Sequence, residues 1–119
     1  MEVVEEPLVT QVIEGIRKVK GHEIVLLDLR EIVQSVSDYF IICTGDSPVQ
    51  VNAISESIQA EAEKSTNEVP LHVEGKQNRQ WIILDYANVV VHVFLKDWRS
   101  FYNLEELWGD AKITHYEEN

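Results

Sequence analysis

Two β-rich runs, WIILDY at residues 81–86 and VVVHVFL at residues 89–95, are separated only by Ala87 and Asn88. A link this short joins antiparallel neighbours, because a parallel pair needs a crossover of a dozen or more residues. The runs therefore form a hairpin, and the hairpin assigns every side chain in it to one face or the other. Trp81, Ile83, Asp85, Val90, His92 and Phe94 share one face; Ile82, Leu84, Tyr86, Val89, Val91 and Val93 share the other. The second set is apolar apart from one phenol hydroxyl and belongs under covering helices. The first mixes an acid, an imidazole and two large aromatics, the composition of a face that meets a partner.

The rest of the chain supplies the cover and the remaining strands. Leu8, Val9, Val12, Ile13, Ile16 and Val19 recur at helical spacing, which predicts an amphipathic helix over residues 7–20. Glu5 and Glu6 precede it, Pro7 suits its first turn, and Arg17, Lys18 and Lys20 crowd its end before Gly21. Gly15 inside it costs up to about 1 kcal/mol, which packing has to offset. Residues 23–29 read as a buried strand, with Asp28 as a cap or turn residue, and 30–38 as a connection. Residues 39–44, YFIICT, are apolar on both parities and read as an interior strand. Ser47, Pro48 and Gln50 form the start of a second helix as an S-x-x-Q capping box. Its stripe is Val51, Ile54 and Ile58, and its end falls at residues 64–67.

Residues 70–74 alternate as a half-exposed strand, followed by a turn at 75–78. Beyond the hairpin, Asp97 is placed to cap a helical turn through Phe101, and Asn103 with Glu106 to open another over 104–108. Trp98, Phe101, Tyr102, Leu107 and Trp108 concentrate apolar area there, most of it expected in the core. The polar tail after Gly109 is expected to fray. This order gives an α/β fold: a mixed sheet of about five strands, with the central helix as the crossover between parallel neighbours. A chain of 119 residues, 45% hydrophobic, suits a single domain, with its core at about 7–108 and a flexible acidic tail at 109–119.

Twenty-one acids against 10 bases give a formal charge of −11. That balance disfavours direct binding to DNA or bare RNA, whose affinity comes from Lys and Arg on phosphate. It favours encounter with a basic partner, although solubility alone also accounts for it. No apolar run reaches the length of a membrane span, and the N-terminus carries no secretory pattern, so a cytoplasmic protein is expected. The one cysteine, Cys43, fits a reducing compartment.

Candidate chemistry is sparse. The histidines His22, His72, His92 and His115 make no H-x-x-x-H pair and there is no C-x-x-C, so no metal or other cofactor is expected. Cys43 in an apolar strand is inert as a nucleophile, and no G-x-S-x-G elbow is present. The turn at residues 44–47 before a helix reads either as plain capping or as an anion cradle. A nucleotidyltransferase needs two acids on one strand face to hold Mg²⁺, and His72-Val73-Glu74 offers one. The chain is expected not to be an enzyme.

Read in order, Asp38-Tyr39-Phe40-Ile41-Ile42-Cys43-Thr44-Gly45, Glu74-Gly75, the hairpin, and Arg99-Ser100-Phe101-Tyr102-Asn103-Leu104-Glu105 with Leu107-Trp108 form a specific set. Over residues 8–108 the chain resembles the Iojap-like ribosomal silencing factor family, RsfS. The resemblance implies a nucleotidyltransferase-like fold lacking the catalytic acids. It implies a translation repressor that binds the large ribosomal subunit through ribosomal protein fourteen. Association of the subunits is then blocked when nutrients are short, and a homodimer is common in the family. On that reading Trp81 anchors the contact, Asp85 and Glu74 give charge complementarity, and His92, Phe94 and Val90 lie in the same patch. Ala87-Asn88 departs from the family, which commonly has glycine and an acid there, and the loop residues Asp46 and Pro48 fall at positions that vary. Two other readings stay open: a small nucleotide-binding or nucleotidyltransferase-like enzyme using the 44–47 turn, and a large-subunit assembly factor using the same surface.

Overall fold

In a computed structural model, which describes residues 6–32, 35 and 37–117, the hairpin has the register that its short link dictates. The elements in order are α1 (Pro7–Lys18), β1 (His22–Asp28), β2 (Tyr39–Gly45), α2 (Pro48–Thr66) and β3 (His72–Glu74). They continue with β4 (Trp81–Asp85), β5 (Val89–Leu95), α3 (Lys96–Tyr102), α4 (Leu104–Leu107) and β6 (Lys112–Tyr116). Glu5, Glu118 and Asn119 lie outside the described residues, as does part of the 30–38 connection.

The strands form one mixed sheet in the order β3-β4-β5-β2-β1-β6. Strand β2 is interior, as its two-sided apolar pattern predicts, and pairs in parallel with β5 and antiparallel with β1. The crossover between these parallel neighbours is longer than expected, because α2 is followed by β3 and β4 before the chain returns in β5. Trp81 pairs with Phe94, Ile83 with His92 and Asp85 with Val90, so the two predicted faces are real.

Helices α1 and α2 cover one face, burying Ile82, Leu84, Tyr86, Val89, Val91 and Val93 against the stripes Leu8–Ile16 and Val51–Ala62. Their close approach explains Gly15: a Cβ there would stand 2.8 Å from the Ile58 Cα, and Ser57 Oγ donates to the Gly15 carbonyl at 2.7 Å. Packing thus offsets the propensity that the glycine costs. At the head of α2, Ser47 Oγ accepts from Gln50 N at 3.1 Å. Gln50 Oε1 accepts from Asp46 N, one residue earlier than a regular capping box requires. Gln50 Nε2 also donates to the carbonyls of Val19 and Lys20, which ties the two helices end to end.

On the other face Val25, Leu27, Leu29, Ile42 and Phe94 form a second core under Leu104, Trp98 and Trp108. Helix α3 starts without the expected side-chain cap: Leu95 is its N-cap residue, and Asp97 sits inside the first turn, where its charge faces the positive end of the helix. Asn103 does open α4, accepting from Glu106 N and donating to Glu106 Oε2.

The tail differs from expectation. Residues Lys112–Tyr116 are a sixth strand, antiparallel to β1. Its Tyr116 packs on the first core under the Arg17 guanidinium, and the Glu117 carbonyl accepts from Arg17 at 3.0 and 2.7 Å. Pairing with the edge of β1 supplies the order that its polar composition does not.

The hairpin turn has a local cost. Ala87 has φ +73°, a left-handed conformation that a Cβ disfavours. Ser37 Oγ donates to the Ala87 carbonyl, and Asp38 N and Tyr39 N donate to that of Asn88, so the turn is stitched to the entry of β2. Ala87→Gly is expected to raise stability by about 1 kcal/mol. Urea unfolding checks this as a higher midpoint at unchanged slope.

Candidate functional site

The mixed face of the hairpin is built around Trp81. Its ring stacks on Phe94 at 4.9 Å between centroids and meets Tyr102 of α3 at 4.4 Å. The indole Nε1–H donates to His92 Nδ1 at 3.1 Å. That bond requires a neutral imidazole with its proton on Nε2. His92 is only 5% exposed and lies 4.6 Å from the Phe40 ring. Trp81, only partly buried, is thereby held in one orientation before any partner arrives, which lowers the entropy lost on docking.

Burial holds the His92 pKa down to about 4. The folded chain therefore takes up this proton only near pH 4, while the unfolded chain takes it up near the ordinary histidine value of 6.5. Between those values the unfolded state carries the extra proton, so stability falls as pH drops. His92 accounts for a loss of about 1 kcal/mol between pH 7.5 and 5.5. Denaturant unfolding at the two pH values checks this, and His92→Asn, which keeps an acceptor for the indole, is expected to remove that share of the difference.

The structure distributes the predicted partner residues unevenly. Trp81, His92 and Phe94 come together, but Phe94 is wholly buried and His92 nearly so. They are the floor of the patch and not its surface, because Tyr102 of α3 folds back over Phe94 while Phe40 and Trp81 enclose His92. Glu74 is exposed and pairs with Ile83, beside the middle of β4. Asp85 and Val90 lie at the turn end, four residues of strand and about 13 Å from Trp81. Asp85 Oδ1 is also engaged, accepting from Ala87 N at 2.8 Å.

In their place the surface continues from Trp81 onto α3 and α4. Phe101 is 70% exposed, Tyr102 43% and Leu107 71%, although a core role is the natural reading of an aromatic run. Phe101 packs edge-on to both Trp98 and Tyr102. A buried arginine fixes this layer. Arg99 Nε donates to Glu105 Oε1 at 3.2 Å, and Nη1 donates to Thr44 Oγ1 at 2.9 Å and to the Glu23 carbonyl. One side chain thus joins α3, α4 and the ends of β1 and β2. The sequence signals for Arg99 are its place at the head of the Arg99–Glu105 motif and its spacing, one helical turn after Leu95; neither reveals the partners that it reaches.

The turn at 44–47 uses its own polar groups. Thr44 Oγ1 accepts from Arg99, Asp46 N donates to Gln50, and Asp46 Oδ1 accepts from His22 Nε2 at 2.7 Å. This favours capping over an anion cradle. Burial pushes the Cys43 thiol up to about 12. Among the described residues no group of three or more His, Cys, Asp or Glu is placed to hold a metal ion, and no helix is long and apolar enough to cross a membrane.

Residues 2–119 match the family described as ribosomal silencing factor during starvation. The chain belongs to this family. The ribosomal silencing factor RsfS of Bacillus subtilis is 45% identical to it over 95 residues, 80% of this chain and 79% of that one. The chloroplastic protein Iojap of Zea mays is 39% identical over 79% of this chain and 40% of its own length. A crystal structure of a Chromobacterium violaceum protein superposes with a TM-score of 0.80 at 34% identity, covering 92% of this silencing factor and 88% of that chain. The family is named for a factor and not for an enzyme.

Proposed function

We propose that this silencing factor docks on the large ribosomal subunit through ribosomal protein fourteen, on the face that meets the small subunit. Bound there, it blocks subunit joining by occlusion and so lowers translation when nutrients are short. No bond is made or broken in this mechanism. The observation that carries the reading is the pinned Trp81 indole, continued outward by Tyr102, Phe101 and Leu107 on a chain of net charge −11. Central aromatics surrounded by water-excluding contacts supply most of the affinity of protein interfaces, and an acidic surface suits a basic ribosomal protein.

The test is a subunit-joining assay. The protein is expected to co-sediment with isolated large subunits and, when added first, to suppress formation of joined particles. Co-sedimentation with unimpaired joining would instead support an assembly factor, and no co-sedimentation would remove the ribosomal reading.

A further inference from the structure

Between α3 and α4 the chain turns through Asn103, at φ +43°, and leaves a shallow cleft, widely open to solvent, of about 470 Å³, lined by Tyr102, Asn103, Glu106 and Leu107. Its walls are a phenol ring and a leucine, both open to solvent. The Glu106 carboxylate is fixed there, because its Oε2 accepts from Asn103 Nδ2 at 2.7 Å. No basic residue lines the cleft. The overall charge of −11 adds to the negative potential.

A cation that satisfies all of these walls must be flat, forked and carried on an apolar stem. A guanidinium stacks on an aromatic face and bonds a carboxylate through two donors, while its methylene stem covers a leucine. An ammonium uses the charge alone. The bond from Asn103 leaves room for the fork, since a carboxylate has about four acceptor sites.

We propose that this cleft receives an arginine side chain of a basic protein partner, with Glu106 as its counter-charge and Tyr102 as its stacking surface. The inference rests on the reading that the surrounding surface docks on the large ribosomal subunit. Binding of the full chain to isolated large subunits, measured at low and at physiological salt, tests it. Glu106→Gln keeps the bond to Asn103 and is expected to weaken binding about tenfold at low salt and to flatten the salt dependence, with the unfolding midpoint unchanged. Glu106→Lys, which repels the incoming cation, is expected to weaken it further. Wild-type affinity in Glu106→Gln beside a Trp81→Ala variant that no longer binds overturns the arginine cleft and leaves the docking reading standing. Wild-type affinity in both overturns both. A loss in Glu106→Gln with unaltered salt dependence, or equal losses in Gln and Lys, overturns the cleft because charge is then not the cause.

Discussion

Trp81→Ala is expected to weaken binding to isolated large ribosomal subunits at least about thirtyfold, equivalent to about 2 kcal/mol, while the domain stays folded. The indole is the one aromatic side chain of the hairpin's mixed face that reaches solvent while resting on a buried floor. It is stacked on Phe94, abutted by Tyr102 and hydrogen-bonded to His92, so it arrives at a partner already ordered. Truncation removes the contact area and also the donor to His92 Nδ1, and the second effect falls on stability. The two are separated by Trp81→Phe, which keeps a ring against Phe94 and Tyr102 but has no N–H. Unfolding midpoints and sedimentation measured on both variants decide the matter. If alanine costs affinity only in proportion to the fraction unfolded, this face is not the docking surface. If phenylalanine retains most of the affinity and alanine little, ring area is the determinant.

The hairpin was legible because its geometry is over-determined. A two-residue link permits one pairing, parity follows from the pairing, and the apolar set can only face the helices. The Ser47 cap was legible for a similar reason, since a local hydrogen bond depends on residues three apart. What the sequence concealed depends on partners distant in the chain. Lys112–Tyr116 has no strand-like hydrophobic run, and its order comes from the edge that β1 offers. Helical spacing also could not divide an aromatic run into inside and outside. Trp98 packs on the second core while Phe101 of the same helix faces solvent, and the rotation of α3 that separates them is set by Arg99 reaching β1 and β2. The same tertiary effect shifts the candidate docking surface. Parity correctly grouped Trp81, His92 and Phe94, but Tyr102 covers Phe94, Phe40 and Trp81 enclose His92, and residues 101–107 come forward instead.

Arg99 therefore governs both the stability and the shape of the candidate site. Arg99→Met keeps most of the apolar stem and removes the guanidinium, leaving the Thr44 hydroxyl, the Glu23 carbonyl and the Glu105 carboxylate without their shared donor. Bonds to a charged donor are worth about 1.5–3 kcal/mol each, and three made by one group are not additive. A loss of about 3 kcal/mol is expected in denaturant unfolding. The loss should also be uneven. Helices α1 and α2 pack on the opposite face and do not touch Arg99, whereas α3 and α4 are fastened to the strand ends through it. Amide exchange is expected to accelerate first in residues 96–107, with the α2 and β5 amides following only the global change. Arg99→Lys restores a charge but not the fork that spans three acceptors, and is expected to recover only part of the stability. Uniform acceleration across all helices would show that Arg99 supports the whole fold and does not specifically fasten the aromatic layer. Faster exchange confined to residues 96–107, with weakened large-subunit binding at a temperature where the rest of the chain stays folded, would tie that fastening to docking.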